Sequence, residues 1–266
     1  MMRPPAASAG PPGHVDVNVL VGPYPFRQVP HPDPDTLVRV MDREGVANAW
    51  VGHLPSVFYR DPAPGNKELF ELLRPFADRL LAVPAVRPDW PDWCDQLAAA
   101  ANQGAVAVRA YPPQWGLGPD DPRMVELAGA CADRQLPLVL TVKFEDVRQR
   151  HPMDGVGELQ PAAVRALARA GTNAQILVTA AGRDFIEEVH WGLTSAERAR
   201  VWWDISWIWG PPEDDLAHLL KTVGADRFAY GTMWPLRLTQ VARANLALLP
   251  DGLLLRAFTY PSIFRR

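Results

Sequence analysis

The sequence lacks a marked excess of charge of either sign and contains very little cysteine. Its 27 lysines and arginines against 30 aspartates and glutamates give a formal charge of −3, with the basic residues scattered along the chain. Proteins that bind nucleic acids or membrane surfaces gather their basic residues, so neither partner is expected. The only cysteines, Cys94 and Cys131, have no metal-binding spacing around them and indicate a reduced, cytoplasmic setting.

Long hydrophobic runs are also missing. Arg, Asp or Pro interrupts every stretch before it reaches the roughly 18 apolar residues of a membrane helix. Residues 1–13 are rich in Pro, Ala and Gly and lack the apolar segment of a signal peptide. We therefore predict a disordered tail over 1–13 and one domain over 14–266.

What the sequence does contain is an alternation of short β-rich runs with longer segments of helical spacing. This pattern is typical of repeated βαβ units, and roughly 250 residues is the usual size of a closed α/β barrel. The predicted strands are 14–20, 47–53, 80–86, 105–110, 137–142, 174–179, 200–206 and 227–231. An open doubly wound sheet shares the alternation, but no glycine-rich phosphate-binding motif follows the first strand. We predict a single-domain (β/α)8 TIM barrel.

Amphipathic stretches at 36–43, 67–77 and 161–170 are predicted as outer helices. Asp35 or Thr36 is a candidate N-cap for the first, and Gly45 and Gly171 fall where helices end. In a barrel the chemistry lies at the C-terminal ends of the strands and in the loops that follow. The candidate site residues are therefore those at the strand ends and in the loops that follow them.

Five motifs occur along the chain in a particular order. They lie at 16–22, 65–69, 78–80, 104–109 and 226–235, the last reading Asp-Arg-Phe-Ala-Tyr-Gly-Thr-Met-Trp-Pro. In this order, from about residue 14 to about residue 262, they resemble the amidohydrolase superfamily. The closest branch is that of decarboxylases and lactonases of small aromatic or dicarboxylic acids. The resemblance implies a barrel that acts as a hydrolase or a carbon-carbon lyase.

The resemblance also implies a catalytic metal, but the residues at its ligand positions have changed. The histidine and aspartate positions are occupied by Asn18, Leu20, Thr141, Ala180 and Met233. A catalytic zinc takes about three Cys, His or carboxylate ligands, whereas Asn18 and Thr141 offer only neutral oxygens. We predict no bound metal and no cofactor.

Arg109 ends the fourth strand, and Tyr111 follows it. The resemblance implies a basic residue facing the site, and a guanidinium pairs with a carboxylate in a bidentate way. We predict that Arg109, Tyr111 and Asn18 bind an anionic small molecule, so that Arg109→Met should weaken ligand binding more than folding. The alternative is a salt bridge from Arg109 to an internal carboxylate such as Asp16 or Asp204.

The candidates for proton transfer follow two strands. The charged segment 143–152 follows strand five, where Glu145 and His151 are predicted to move protons and one helical turn would bring Arg148 near Glu145 as a binding residue. His53 ends strand two and is the third candidate. The alternatives are a solvated loop for the segment and a packing role for His53.

Trp207 and Trp234 follow strands seven and eight, where they would stack on a planar ligand or close the barrel mouth. Two functions remain open. The first is an enzyme, of hydrolase or decarboxylase type, that acts without metal on a small carboxylated molecule. The second is an inactive homologue that binds a ligand or partners an active relative. A homodimer or such a hetero-oligomer is expected.

Overall fold

The computed structural model describes residues 14–250 and residue 253, so the predicted tail at 1–13 lies outside the described residues. Each of the eight predicted strands has a counterpart in its window. The strands are β1 (His14–Val21), β2 (Val46–His53), β3 (Leu80–Ala82), β4 (Val108–Ala110), β5 (Leu138–Thr141), β6 (Ile176–Thr179), β7 (Val201–Asp204) and β8 (Phe228–Ala229).

The strands form a closed ring of parallel neighbours. β1 to β3 pair in chain order, as do β4 to β8. Parallel bridges join the two ladders, from Ala85 to Arg109 on one side and from Val19 to Trp234 on the other. Arg109 N donates to Pro84 O at 2.9 Å, and Leu20 N donates to Trp234 O at 2.8 Å. The ring confirms the predicted (β/α)8 barrel and is not the open sheet that shares its alternation.

Helices cover the outside of the ring. They are α1 (Pro34–Glu44), α2 (Ala63–Leu73), α3 (Trp93–Asn102), α4 (Pro122–Asp133), α5 (Pro161–Arg169), α6 (Arg183–Trp191), α7 (Ser195–Arg198), α8 (Asp215–Leu219) and α9 (Thr239–Ala247). Within residues 14–250 none of them is long and apolar enough to cross a membrane.

The N-cap predicted for α1 was wrong by two or three residues. The cap is Asp33, whose carboxylate accepts from Thr36 N at 2.8 Å, and Pro34 supplies the first helical residue. Proline suits that position because its missing N–H would be unpaired there in any case. The predicted end at Gly45 is confirmed, since its φ of 70° is left-handed.

Two of the motifs hold strands in place. The Asn66 side chain pairs with the backbone of Ala85 in both directions, at 2.7 and 2.8 Å. Arg79 donates to the carbonyl oxygens of Val46 and Ala47 at the start of β2. Both contacts satisfy backbone groups at strand ends, so these motif residues are explained by the fold.

An apolar plug fills the barrel towards the N-terminal ends of the strands. It contains one buried side chain from each of the eight strands or its immediate flank: Val17, Trp50, Val83, Ala107, Val139, Leu177, Trp202 and Ala229. Side chains two residues apart share one side of a strand. The residues two positions beyond the plug therefore form the next layer, and four of these eight residues are polar.

Candidate functional site

The layer above the plug contains Arg109, Thr141, Thr179 and Asp204, each two residues after a plug residue. Asn18 joins them from β1, where a register shift between Asp16 and Val19 changes the alternation. All five side chains are buried, with at most 2% of their surface exposed. The centre of the barrel is thus a closed polar network.

A cation and an anion in this network are linked through an amide. Arg109 Nη2 donates to Asn18 Oδ1 at 3.1 Å, and Asn18 Nδ2 donates to Asp204 Oδ2 at 2.7 Å. The amide thereby presents its oxygen to the guanidinium and its N–H to the carboxylate. Asp204 Oδ1 also accepts from Ala180 N at 2.9 Å. A buried charge needs partners of this kind.

A chain of hydroxyls extends from the other side of the guanidinium. Arg109 Nη1 donates to Thr141 Oγ1 at 3.4 Å, Thr141 Oγ1 lies 3.1 Å from Thr179 Oγ1, and Thr179 Oγ1 donates to Leu140 O at 3.2 Å. Because the single proton of Thr179 goes to that carbonyl, Thr141 donates to Thr179. The hydroxyl protons all point away from the cation.

A second buried carboxylate, Asp16, ties β1 to the end of β8. Its Oδ1 accepts from the N–H groups of Asn18 and Thr232, at 3.0 and 3.1 Å, and its Oδ2 accepts from Thr232 Oγ1 at 2.6 Å. Burial nevertheless raises the pKa of Asp16 to about 7, with a smaller contribution from the charge of Asp204. Burial also raises the pKa of Asp204, against the hydrogen bonds from Ser206, Ala180 and Asn18 and the charge of Arg109.

Arg109 itself is fully enclosed, with 0% of its surface exposed. A Cβ on Gly52 would lie 3.0 Å from Arg109 Nε, so the glycine leaves room for the guanidinium. Tyr111 is 1% exposed, and burial raises its pKa against the charge of Arg109. Arg109 is linked to Asp204 through the amide of Asn18 and forms no direct salt bridge with it. This link favours a structural role for Arg109 over direct ligand binding.

The residues at the implied metal positions do not fit a metal. Two of the five, Asn18 and Thr141, are bonded to the guanidinium of Arg109, so a cation already lies between them. Leu20, Ala180 and Met233 carry no side-chain ligand for a hard cation. Across residues 14–250, no group of three or more His, Cys, Asp or Glu side chains is placed to hold an ion.

Two of these positions have an unusual backbone conformation. Ala180 and Met233 have φ of 58° and 59°, in the left-handed region that favours glycine. Hydrogen bonds hold both, since Ala180 N donates to Asp204 Oδ1 and Met233 N donates to Asn18 O at 2.7 Å. Such conformations cost on the order of 1–3 kcal/mol and concentrate at functional sites.

His53 has its own set of contacts, formed with Ser56 and Glu68. Its Nδ1 is 2.8 Å from Ser56 Oγ, and its Nε2 is 3.6 Å from Glu68 Oε2. Burial lowers the pKa of His53, while Glu68 acts in the opposite direction. A Cβ on Gly65 would be 2.0 Å from Ser56 Oγ, so this histidine and its partners pack directly against α2. The packing alternative is favoured for His53.

The charged segment after β5 lies on the rim. Glu145 is buried and pairs with Arg27, from the loop after β1. Arg148 pairs with Asp146, through two hydrogen bonds of 2.8 Å, and not with Glu145. The exposed His151 stacks on Phe26 with ring centroids 5.8 Å apart. The hydrogen bonds of Glu145 and His151 are made within the rim, away from Arg109.

A rim cavity of about 250 Å³ opens beside this segment, between the loops that follow β1, β5, β7 and β8. Trp207, Trp209 and Arg237 line it together with the Arg27–Glu145 and Asp146–Arg148 pairs. Trp207 was predicted, whereas Arg237 was missed although it follows the last strand closely. Trp234 is buried, at 8% exposure, and supplies the backbone bridge to Val19.

No family model and no curated protein sequence matches the chain. Solved structures do match. A 2,6-dihydroxybenzoate decarboxylase from Rhizobium has 16% identity and a TM-score of 0.68 over 92% of this chain and 96% of its own. A 5-carboxyvanillate decarboxylase from Novosphingobium aromaticivorans, complexed with manganese and 4-hydroxy-3-methoxy-5-nitrobenzoic acid, has 12% identity and a TM-score of 0.69 over 92% and 93%.

A probable 2-pyrone-4,6-dicarboxylic acid hydrolase from Acinetobacter baumannii, with citric acid bound, has 10% identity and a TM-score of 0.60 over 90% of this chain and 97% of its own. These matches span nearly the whole length of both chains. At such low identity they carry an argument about architecture alone. The chain has the TIM-barrel fold of these decarboxylases and this hydrolase, as predicted from its sequence.

Proposed function

We propose that the protein binds a small carboxylated organic molecule at the mouth of its barrel and does so without a bound metal. The observation that carries this proposal is the contrast between a sealed polar centre around Arg109 and an open, basic and aromatic rim cavity. A concave site with aromatic walls and a few charged groups is the usual form of a small-molecule site. Ligand binding by a catalytically inactive homologue is therefore the function that the geometry supports best.

Metal independence is tested by elemental analysis. We expect protein dialysed against zinc or manganese and then freed of excess metal to hold well below one ion per chain. The physical reason is that Asn18 and Thr141 already contact the Arg109 guanidinium and repulsion from that cation opposes a second one. One ion per chain, coordinated at these strand ends in a crystal structure, would contradict the proposal.

Carboxylate binding is tested with pairs of acids and their neutral amides. Calorimetric titration of small aromatic and aliphatic carboxylic acids is expected to give saturable binding, with each amide at least about tenfold weaker because a charge-assisted bond is lost. Glu187→Gln, which alters a partly buried ion-paired carboxylate of α6, serves as a variant outside the cavity. Equal binding of acids and amides would remove the basis of this function.

An enzyme is the second candidate, and one observation favours it: the three solved structures described above are named as two decarboxylases and a probable hydrolase. In that case Glu145 or His151 would carry the proton. Incubating bound acids with the protein and following them by NMR separates the two functions. An unchanged acid supports a binding protein, whereas turnover that is lost in Glu145→Gln or His151→Asn establishes the enzyme. A homodimer, or pairing with an active relative, remains part of the proposal.

A further inference from the structure

The rim cavity has an uneven balance of charge. Three arginines and two carboxylates line it, which leaves one positive charge. Arg27 forms an ion pair with Glu145, and Arg148 forms one with Asp146. Arg237 is the arginine that remains.

The side chain of Arg237 makes no hydrogen bond or ion pair with any residue that the structure describes. Its interactions are with aromatic rings, since its guanidinium carbon lies 4.2 Å from the centroid of Trp207 and 5.9 Å from that of Trp209. Burial lowers the pKa of Arg237, while the charges of Asp204 and Asp146 act at longer range in the opposite direction. A partly desolvated guanidinium without a hydrogen-bonding partner favours a nearby anion.

The two tryptophans differ in what they can offer. Trp207 is 7% exposed, its Nε1 donates to Met233 Sδ at 2.9 Å, and Lys143 Nζ lies 4.9 Å from its ring centroid. It is fixed and holds Arg237 in position. Trp209 is 48% exposed and lines the same cavity, so its ring has free surface. A planar ring can stack on that surface beside the guanidinium.

We infer that the rim cavity is a site for a singly charged aromatic carboxylate, gripped through its two oxygens by Arg237 and stacked on Trp209. This inference rests on the proposed function, whose site and ligand class it specifies. The single charge of the ligand matches the single positive charge of the cavity lining. The planar ring matches Trp209 and the apolar side chains of Leu236 and Leu238, which complete the lining.

Benzoate is the probe for this site, and calorimetric titration is the measurement. Wild-type protein is expected to bind benzoate at least about tenfold more tightly than benzamide, and several-fold more tightly than either cyclohexanecarboxylate or the dianion isophthalate. Arg237→Gln should lower benzoate affinity about tenfold or more and abolish the preference over benzamide. Trp209→Leu should weaken benzoate while keeping that preference.

Arg60→Gln is the matched control. Arg60 also lies over a tryptophan, with its guanidinium carbon 5.6 Å from the centroid of Trp90, and the substitution removes the same charge outside the cavity. It is expected to bind benzoate as the wild type does. Thermal unfolding of each variant verifies that it is folded.

The possible outcomes separate the two proposals. Absence of binding by every carboxylate overturns the proposed function. Carboxylate binding that is equal in wild type and Arg237→Gln overturns this site and leaves the function standing. Tighter binding of isophthalate than of benzoate overturns the single-charge specificity, and equal losses in Arg237→Gln and Arg60→Gln reduce the effect of Arg237 to overall charge.

Discussion

Arg109→Met is expected to lower the free energy of unfolding by about 3–5 kcal/mol, because it leaves the fully buried carboxyl group of Asp204 without the guanidinium that is linked to it through Asn18. The methionine also breaks the bonds to Asn18 and Thr141. This reverses the expectation from the sequence, in which the substitution affected binding more than folding. Urea unfolding at constant pH measures the change.

Arg39→Met is the control for this experiment, because Arg39 is exposed and, among residues 14–250, its side chain donates a hydrogen bond only to the hydroxyl of Thr36. Its effect should stay within about 0.5 kcal/mol. The double variant Arg109→Met/Asp204→Asn should be more stable than the sum of the single losses by about 1–3 kcal/mol, since the unpaired charge is then gone. If Arg109→Met and Arg39→Met have the same unfolding free energy, the network around Arg109 has no structural importance.

Asp16 should make the protein less stable as the pH rises from 5 to 8. Its ordinary pKa of 3.8 applies to the unfolded chain, and burial raises the folded value to about 7. Between these values the folded state holds a proton that the unfolded state has released, so stability falls with increasing pH and levels off above about 7. The loss attributable to Asp16 over this window is about 3 kcal/mol.

The comparison with Asp16→Asn isolates this contribution. Asparagine keeps an oxygen for the N–H groups of Asn18 and Thr232 but cannot ionise. Its unfolding free energy should therefore fall less than that of the wild type from pH 5 to pH 8. The exposed Asp35, substituted in the same way, should leave the wild-type profile unchanged. A parallel profile for wild type and Asp16→Asn would show that Asp16 is ionised throughout.

The fold could be predicted because its signals are local. Each strand is a short, mostly apolar run, and the motifs that carry the resemblance include Asn66 and Arg79, which bind backbone groups at strand ends. Such residues are explained by the fold, independently of the function of the protein. The cap of α1 is Asp33, before the predicted Asp35 or Thr36, and an aspartate directly before a proline is itself a helix-start signal.

The site was harder to predict because its contacts are distant in the sequence. From the sequence, an arginine at a strand end is equally consistent with ligand binding and with an internal ion pair. The role of Arg109 depends on Asp204, which lies 95 positions further along the chain. Arg237 gains its significance from Trp207 and Trp209, on a different loop. No sequence spacing shows which arginine of the rim stays unpaired once the other two have formed ion pairs with carboxylates.

Because the Arg109 guanidinium lies between Asn18 and Thr141, the central cation of the barrel is not taken from the surroundings. A metal is acquired after synthesis and can be lost to a chelator, to scarcity or to a competing ion. Arg109 is specified by the gene and held by peptide bonds, so the barrel is assembled with its central cation already in place. In exchange, Nη1 and Nη2 each donate a hydrogen bond within the protein. A guanidinium also has no open coordination position of the kind through which a catalytic zinc takes up water or substrate.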